Sequence, residues 1–426
     1  MRSVAKTRVA QEPFGPGPAQ EPFGPGPAQE PFGPEHEPPT DWIELNMGPQ
    51  HPSTHGVLRV RLKLDGERVR DADADVGYLH TGFEKSFEEK TYTQGITFSD
   101  RMDYLAPPIN NVGFVMSVEK LIGVEVPARA QAIRVMMMEL ARIASHELWL
   151  GTAGLDLGVY SGFFYAWRDR ELVLDLNESY SGVRMMTSFT RVGGVAWDLP
   201  EGWIEQLQRF IDVMPGRIDD FEAMLTDNPI WHQRLQGIGA LSAQEAITTG
   251  VTGPMLRASG VDYDVRKAFP YCGYEQYDFQ VPLGTNGDCY DRYRVRVQEM
   301  RESLKILQQV VDTLPSGPWI TSDRKVALPP RSELSKSMES VIHHFRLVSE
   351  GFKGPVGDVY AFVESPRGEL GFYLVSDGTN KPYRMKVRPP SFCNLQPLKK
   401  LVQGVLLADV IAIMGSMDFI LGDVDR

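Results

Sequence analysis

The sequence predicts an α+β fold with an N-terminal antiparallel strand region, a central bundle of long helices and a smaller mixed C-terminal part packed back against it. Three observations carry this expectation. Leu58, Val60, Leu62 and Leu64 alternate with Arg59, Arg61 and Lys63, the period-two pattern of a half-buried strand, and Asp65-Gly66 supplies a hairpin turn. Ile133, Met137, Leu140, Ala144 and Leu148 recur at helical spacing as one apolar stripe. The run from Tyr360 to Gly378 reads strand, tight turn, strand, with Ser365-Pro-Arg-Gly368 at the turn.

Four regions follow: 1–40, 41–110, 111–330 and 331–426. Residues 10–34 contain Ala-Gln-Glu-Pro-Phe-Gly-Pro-Gly-Pro twice and then its first seven residues again. Proline and glycine at this density build neither helix nor ladder, so a disordered or polyproline-like tail is expected, and a linker is favoured over a binding role for Phe14, Phe23 and Phe32. Folded chain is expected from about Asp41, with the β-rich region first. Helical pattern runs from about Asn111 to Gly151, again from Trp203 to Leu225, and again from Asp291 to Leu314, where Val297, Met300, Leu304, Leu307 and Val311 are in register. The irregular stretch from Gly250 to Tyr290 offers Arg257 and Asp264-Val-Arg-Lys267 either to a ligand or to lobe packing, and packing is favoured.

Composition narrows the function. A chain of 426 residues can bury a large core, and 23% charged with 42% hydrophobic residues are ordinary globular values. A net charge of -12 without a basic stripe argues against a nucleic-acid partner. Cys272, Cys289 and Cys393 are scattered and form no C-x-x-C pair, so neither a disulfide framework nor a metal or iron-sulfur site is expected, and a reducing compartment is. Arg2, Lys6 and Arg8 lack the apolar segment of a secretory signal. The most apolar window, Leu401 to Gly422, is interrupted by Gln403, Asp409 and Asp418, so no membrane span is expected and membrane association would run through partners. G-x-G-x-x-G after a strand, G-x-x-x-x-G-K-[ST], G-x-S-x-G and H-E-x-x-H are all missing, which leaves nucleotide binding, phosphoryl transfer and the common hydrolase designs without support.

Three polar islands stand out, and they are expected to converge on one pocket for a small redox molecule. Gly48-Pro-Gln-His-Pro-Ser-Thr-His-Gly56 holds His51 and His55 in a Gly/Pro-bounded loop. Pro52 and the flanking glycines break the helical geometry of a His-x-x-x-His metal pair, and carboxylate or thiolate partners are missing, so one histidine is expected to contact a ligand. Arg101-Met-Asp-Tyr-Leu-Ala-Pro-Pro-Ile-Asn110 carries Tyr104. The third island runs from Ser145 to Asp156. Its His146 shares a side with Glu139 and Arg142, where a solvated or interhelical polar face is favoured. Asp156 lies in the apolar run Gly154-Leu-Asp-Leu-Gly158, where an unpaired carboxylate is costly and a histidine would serve as partner.

GPQHPSTHG, GYLHTGFEK, the DRMDY run, SHELWLGT, RASGVDYDVRKAFPY, ESPRGELG and the final GDVDR together resemble the 49 kDa, or D, subunit family of respiratory complex I, from about residue 41 onward. The resemblance implies a hydrogenase-large-subunit-like fold, because that family is related to the large subunit of nickel-iron hydrogenases. The hydrogenase metal-binding C-x-x-C pairs fall on Asp103 to Ala106 and on Ile420 to Asp423. All four cysteines are missing here, so nickel-iron chemistry and a metal held by this chain are not expected. In the family the emptied pocket holds a quinone headgroup beside the terminal iron-sulfur cluster of a small, B-type partner subunit.

Carried over residue by residue, the resemblance implies His55 and Tyr104 as headgroup contacts and Asp156 as the carboxylate behind the histidine. His51, Thr81 and Met186 are expected to border the quinone or the partner's cluster. Many family members have an arginine where this chain has Thr81 and a histidine where it has Met186. Losing a cation and a protonatable group there should lower the cluster's potential and match it to menaquinone. The resemblance further implies a C subunit and membrane-arm subunits as partners, with NAD, FMN and iron-sulfur clusters housed in partners, at the cytoplasmic side of the cell membrane. Two functions remain in view: quinone reduction within a proton-pumping NADH-quinone oxidoreductase, and a non-catalytic scaffold subunit of that or a related ferredoxin- or deazaflavin-dependent complex.

Overall fold

The computed structural model describes residues 42–426, so the repeat segment of residues 10–34 lies outside the described residues. The α+β expectation holds. Strands β1 (Ile43–Met47), β2 (Arg59–Asp65) and β3 (Arg68–Asp75) form an antiparallel sheet in that order, with the hairpin turning at Gly66 and Glu67, one residue past the expected Asp65-Gly66. Short helices α1 (Phe83–Glu89) and α2 (Tyr92–Ser99) lead into the bundle of α3 (Pro107–Ile122), α4 (Ala128–Asp156) and α5 (Tyr160–Ser181). After the small ribbon β4 (Thr190–Arg191) and β5 (Gly194–Val195) come α6 (Trp203–Leu225), α7 (Pro229–Leu235), α8 (Ala243–Thr248), α9 (Pro254–Ala258), α10 (Val265–Ala268) and α11 (Cys289–Thr313). Helices α12 (Arg331–Leu334) and α13 (Met338–Ser349) precede a second antiparallel sheet of β6 (Val356–Ser365), β7 (Gly368–Asp377) and β8 (Arg384–Arg388). Helices α14 (Pro390–Leu395), α15 (Leu398–Val402), α16 (Leu407–Met417) and α17 (Leu421–Asp425) complete the chain. No helix among the described residues is long and apolar enough to cross a membrane.

The helical pattern expected from Asn111 to Gly151 is two helices. Gly123 sits at φ 70° and its N–H reaches back to the carbonyl of Glu119, the left-handed C-cap that glycine adopts without a Cβ penalty. Pro127 then caps α4, the axis of the bundle. It begins on the predicted apolar stripe, but its other face is buried as well: Arg134, Glu139, Arg142, His146 and Glu147 are all at most 1% exposed. Of the two expected settings for His146, the interhelical one is observed, with Nε2 2.9 Å from Glu299 Oε2 on α11.

Charges at such depth need partners, because desolvation otherwise costs more than any packing recovers. For Glu139 the irregular stretch supplies them, in line with its favoured packing reading, and the same stretch pairs with α11 and β6. Arg257 reaches Glu299 at 2.6 Å and Glu364 of β6 at 2.8 Å, while Arg266 reaches Asp264 at 2.7 Å and Glu139 of α4 at 3.1 Å. Tyr274 and Ser303 donate to the two oxygens of Glu139 at 2.5 and 2.6 Å. These bonds tie the long helices to the second sheet. Replacing Arg257 by Met should strand Glu299 and Glu364 and destabilise the subunit by about 3–5 kcal/mol, read as loss of the assembled subunit or a lowered melting temperature.

Candidate functional site

The loop between β1 and β2 sets His55. His51 starts a 3-10 turn over Pro52–Thr54 by accepting the Ser53 N–H on Nδ1 at 3.2 Å, and Thr54 donates back to the His51 carbonyl at 2.8 Å. His55 follows in the left-handed region at φ 49°, which turns its ring toward the end of α4. There Nε2 lies 3.1 Å from Oδ2 of Asp156, the last residue of α4, with both side chains mostly buried. The approach is that of an ion pair but is misaligned for a hydrogen bond, and neither atom has another hydrogen-bond partner. The edge of Phe419 faces the imidazole at 5.9 Å. Gly415 of α16 sits beside the pair: a Cβ there would stand 3.5 Å from Asp156 Oδ2 and 3.8 Å from His55 Nε2. The Trp149 indole donates to the Gly415 carbonyl at 2.7 Å, which holds α16 against α4.

The second island is held by Arg367, in the tight turn between β6 and β7. Its buried guanidinium binds Asp103 at 3.0 Å and Asp418 at 3.0 Å, and donates to Ser145 Oγ at 2.7 Å. One arginine therefore joins the second island, the third island and the end of α16. Next to Asp103, Tyr104 lines a cavity of about 20 Å³ with Pro107, Ala144, Arg170, Met185 and Met186. Burial pushes the Tyr104 hydroxyl above its ordinary range and the charge of Asp103 adds to this, so it remains a neutral donor.

The expected convergence is thus partial. His55 meets Asp156, and Tyr104 and Met186 line one cavity, but among the described residues no hydrogen bond or ring contact joins Tyr104 to His55. Met186 sits at φ 50° in the loop after α5. Thr81 is exposed on the loop before α1, where Gly77 and Leu79 donate to the Asp425 carboxylate at 2.8 and 2.7 Å and His80 Nδ1 lies 2.8 Å from the Asp425 carbonyl.

Arg367, Asp418 and Asp425 were not among the predicted site residues. The burial argument that singles out Asp156 applies equally to Asp418, a carboxylate in an apolar run; Arg367 reads in sequence only as a turn residue. Asp423 belongs with them. It is fully buried, Oδ2 accepts the Ser391 N–H at 2.9 Å, and Oδ1 has no partner. Burial, then the charge of Asp103, pushes its carboxyl up to about 7. A Cβ on neighbouring Gly422 would stand 2.5 Å from the Met102 carbonyl, so the segments around Asp103 and Asp423 touch through their backbones. No group of three or more His, Cys, Asp or Glu side chains able to hold a metal occurs among the described residues.

Around one long buried helix, with one antiparallel sheet early and another late in the chain, the segments that carry Asp103 and Asp423 abut, and the fold is that of a hydrogenase-large-subunit-like protein. Residues 156–426 match the family model described as respiratory-chain NADH dehydrogenase, 49 Kd subunit. The chain is 57% identical over 385 residues to the D 2 subunit of NADH-quinone oxidoreductase from Roseiflexus sp. (strain RS-1), covering 90% of this chain and 92% of that protein. It is 56% identical over 390 residues to the D 2 subunit from Chloroflexus aurantiacus, covering 91% and 95%. The D subunit from Geotalea uraniireducens is 51% identical over 387 residues, covering 91% and 99%. The chain belongs to the 49 kDa subunit family of respiratory-chain NADH dehydrogenase.

Asp423 yields a pH prediction. Its folded value, about 7, lies above the ordinary 3.8, so between those values the folded state binds more protons than the unfolded one. Stability therefore falls as pH rises through that window, by on the order of 4 kcal/mol, and levels off above it. Asp423→Asn should remove this loss. Its melting temperature relative to wild type should climb from pH 5 toward neutrality, and parallel wild-type and variant curves would contradict the assignment.

Proposed function

We propose that this chain is the quinone-reducing subunit in the peripheral arm of a proton-pumping NADH-quinone oxidoreductase, on the cytoplasmic side of the cell membrane. It binds the quinone headgroup next to the terminal iron-sulfur cluster of a B-type small subunit, in contact with a C subunit and membrane-arm subunits. NAD, FMN and the clusters belong to partners. The relatives' names support the complex, and the observation that carries the site is the His55–Asp156 pair at the end of α4.

Reducing a quinone to a quinol takes two electrons and two protons, one proton for each carbonyl oxygen. The electrons come from the partner's cluster. Tyr104 donates its hydroxyl proton to one oxygen, and a protonated His55, paired with Asp156, donates to the other. Once His55 has lost its proton, Asp156 faces a neutral ring with its charge poorly solvated, and relief of that charge by a loop or helix movement is the step that couples reduction to pumping.

Tyr104→Phe removes one donor without changing the packed ring. In membranes, NADH oxidation by the native quinone should fall by about two orders of magnitude, while oxidation by ferricyanide, which takes electrons upstream, should persist. Quinone turnover at the wild-type rate would remove Tyr104 from the mechanism and favour the scaffold role. The quinone is menaquinone on this reading, because Thr81 and Met186 offer the partner's cluster neither a cation nor a protonatable group. A redox titration should place that cluster below the range of ubiquinone-using enzymes, and a potential within that range would rule out the menaquinone match.

A further inference from the structure

The segment from Met186 to Ser188, in the loop after α5, has two side-chain-bearing residues in the left-handed region, Met186 at φ 50° and Ser188 at φ 42°. Neither is the Gly, Asn or Asp that tolerates this conformation, so the surroundings must hold the path. The holder is Asp100, the C-cap of α2, which is 1% exposed. Its Oδ2 accepts from the Ser188 hydroxyl, and its Oδ1 accepts from the Asn111 amide at 2.7 Å. Asn111 is itself oriented, because its carbonyl oxygen accepts from Ser99 Oγ at 2.7 Å, which leaves the amide N–H for Asp100. A buried carboxylate is costly unless such donors meet it, so each of these bonds is firmly held.

The bonds of Asp100 join two sides of the Tyr104 pocket. Asp100 and Asn111 immediately flank the island Arg101–Asn110, so their bond closes the loop that carries Tyr104. The Ser188 bond ties that closure to the segment whose Met185, Met186 and Thr187 line one cavity with Tyr104. Thr187 is 6% exposed, and its hydroxyl has no hydrogen-bond partner among the described residues. A buried hydroxyl without a partner is costly, and a ligand oxygen at this cavity would meet it. We propose that Asp100 is a positioning residue of the quinone site: by holding Met186 to Ser188 in the left-handed path, it keeps this wall, with the Thr187 hydroxyl, against Tyr104. This rests on the reading of Tyr104 as a headgroup contact. Arg191 also donates to the Ser188 carbonyl, so the segment stays anchored when the Asp100 bond is lost.

Two loop-side variants separate the backbone path from the hydroxyl. Ser188→Ala removes the bond and keeps the Cβ, so the segment leaves the left-handed region; Ser188→Gly also removes the bond, but glycine takes that path without a Cβ penalty. In the intact membrane complex, Ser188→Ala should raise the KM for a short-chain naphthoquinone roughly tenfold, more than it lowers kcat, with ferricyanide reduction kept, and Ser188→Gly should raise it by less than about threefold. Asp100→Ala should act like Ser188→Ala, and the double variant should be no worse than the worse single one, because both remove the same bond. Where Asp100→Ala fails to assemble, the two Ser188 variants decide. A merely structural role would lower the amount of complex and leave the KM of what assembles unchanged. A KM within about twofold of wild type in Ser188→Ala, or an equal rise in Ser188→Ala and Ser188→Gly, would overturn the proposal. If Tyr104→Phe loses quinone turnover while Ser188→Ala keeps the wild-type KM, only the Asp100 role falls; if Tyr104→Phe is itself fully active, the underlying reading falls first.

Discussion

The interaction on which the site depends is the buried bond set of Arg367. Its guanidinium is closed to solvent, and the carboxylates of Asp103 and Asp418 and the hydroxyl of Ser145 take up its donors. The turn that carries it is fixed from behind. Gly253 and Gly368 let two backbones approach so closely that a Cβ on Gly253 would stand 2.4 Å from the Arg367 carbonyl, which also accepts from Asn394 at 2.9 Å. No single element positions the site. A strand turn, a loop, the middle of α4 and the end of α16 meet at one planar cation, whose fork geometry suits two carboxylates at once. Removal of any one partner would leave a charge in the core, so the geometry around Tyr104 and Phe419 is fixed electrostatically as well as by packing.

Comparison with the hydrogenase-like frame explains why that cation is needed. The positions that resemble metal-binding cysteines include Asp103 and Asp423, and the segments carrying them still touch at Gly422 and Met102. Thiolates around a metal are neutralised by the metal. Carboxylates in the same place need another source of positive charge, or protons. Both solutions are present: Asp103 is paired with Arg367, and Asp423 is held up to about 7 by burial and by Asp103.

What could be read from sequence follows from which signals are local. The hairpin after Asp65, helix Trp203–Leu225 and the β6–β7 turn were legible because period and turn chemistry are properties of consecutive residues. The partner of Asp156 was legible because an unpaired carboxylate in an apolar run has few affordable outcomes, and His55 indeed stands 3.1 Å away. For the Arg257, Arg266 and Glu139 network the packing role of the irregular stretch was legible but the pairings were not, since distant chain supplies the counter-ions. Arg367 failed for the same reason: in sequence it is a polar residue in a tight turn, and both its carboxylates are far away along the chain.

If His55 and Tyr104 are the proposed donors, their separate settings bear on how electrons and protons stay in step. Between Tyr104 and Phe419 lies a fixed group in which Asp103 and Asp418 take up the charge of Arg367 and of Arg296, the latter 3.8 Å from Asp418. That group has no positive charge to spare. A headgroup that gained electrons without protons would add negative charge in a medium of low dielectric, where an uncompensated charge costs far more than in water. On the proposed reading, proton delivery must therefore accompany electron arrival, and His55 and Tyr104 are the two donors. On the proposed reading His55 acts beside Asp156, whereas Tyr104 sits in a small cavity that Arg170 also lines. On the proposed reading, the cost of an unprotonated reduced headgroup forces both donors to act, and the charge this leaves on Asp156 is then available to drive movement of the surrounding loop and helix.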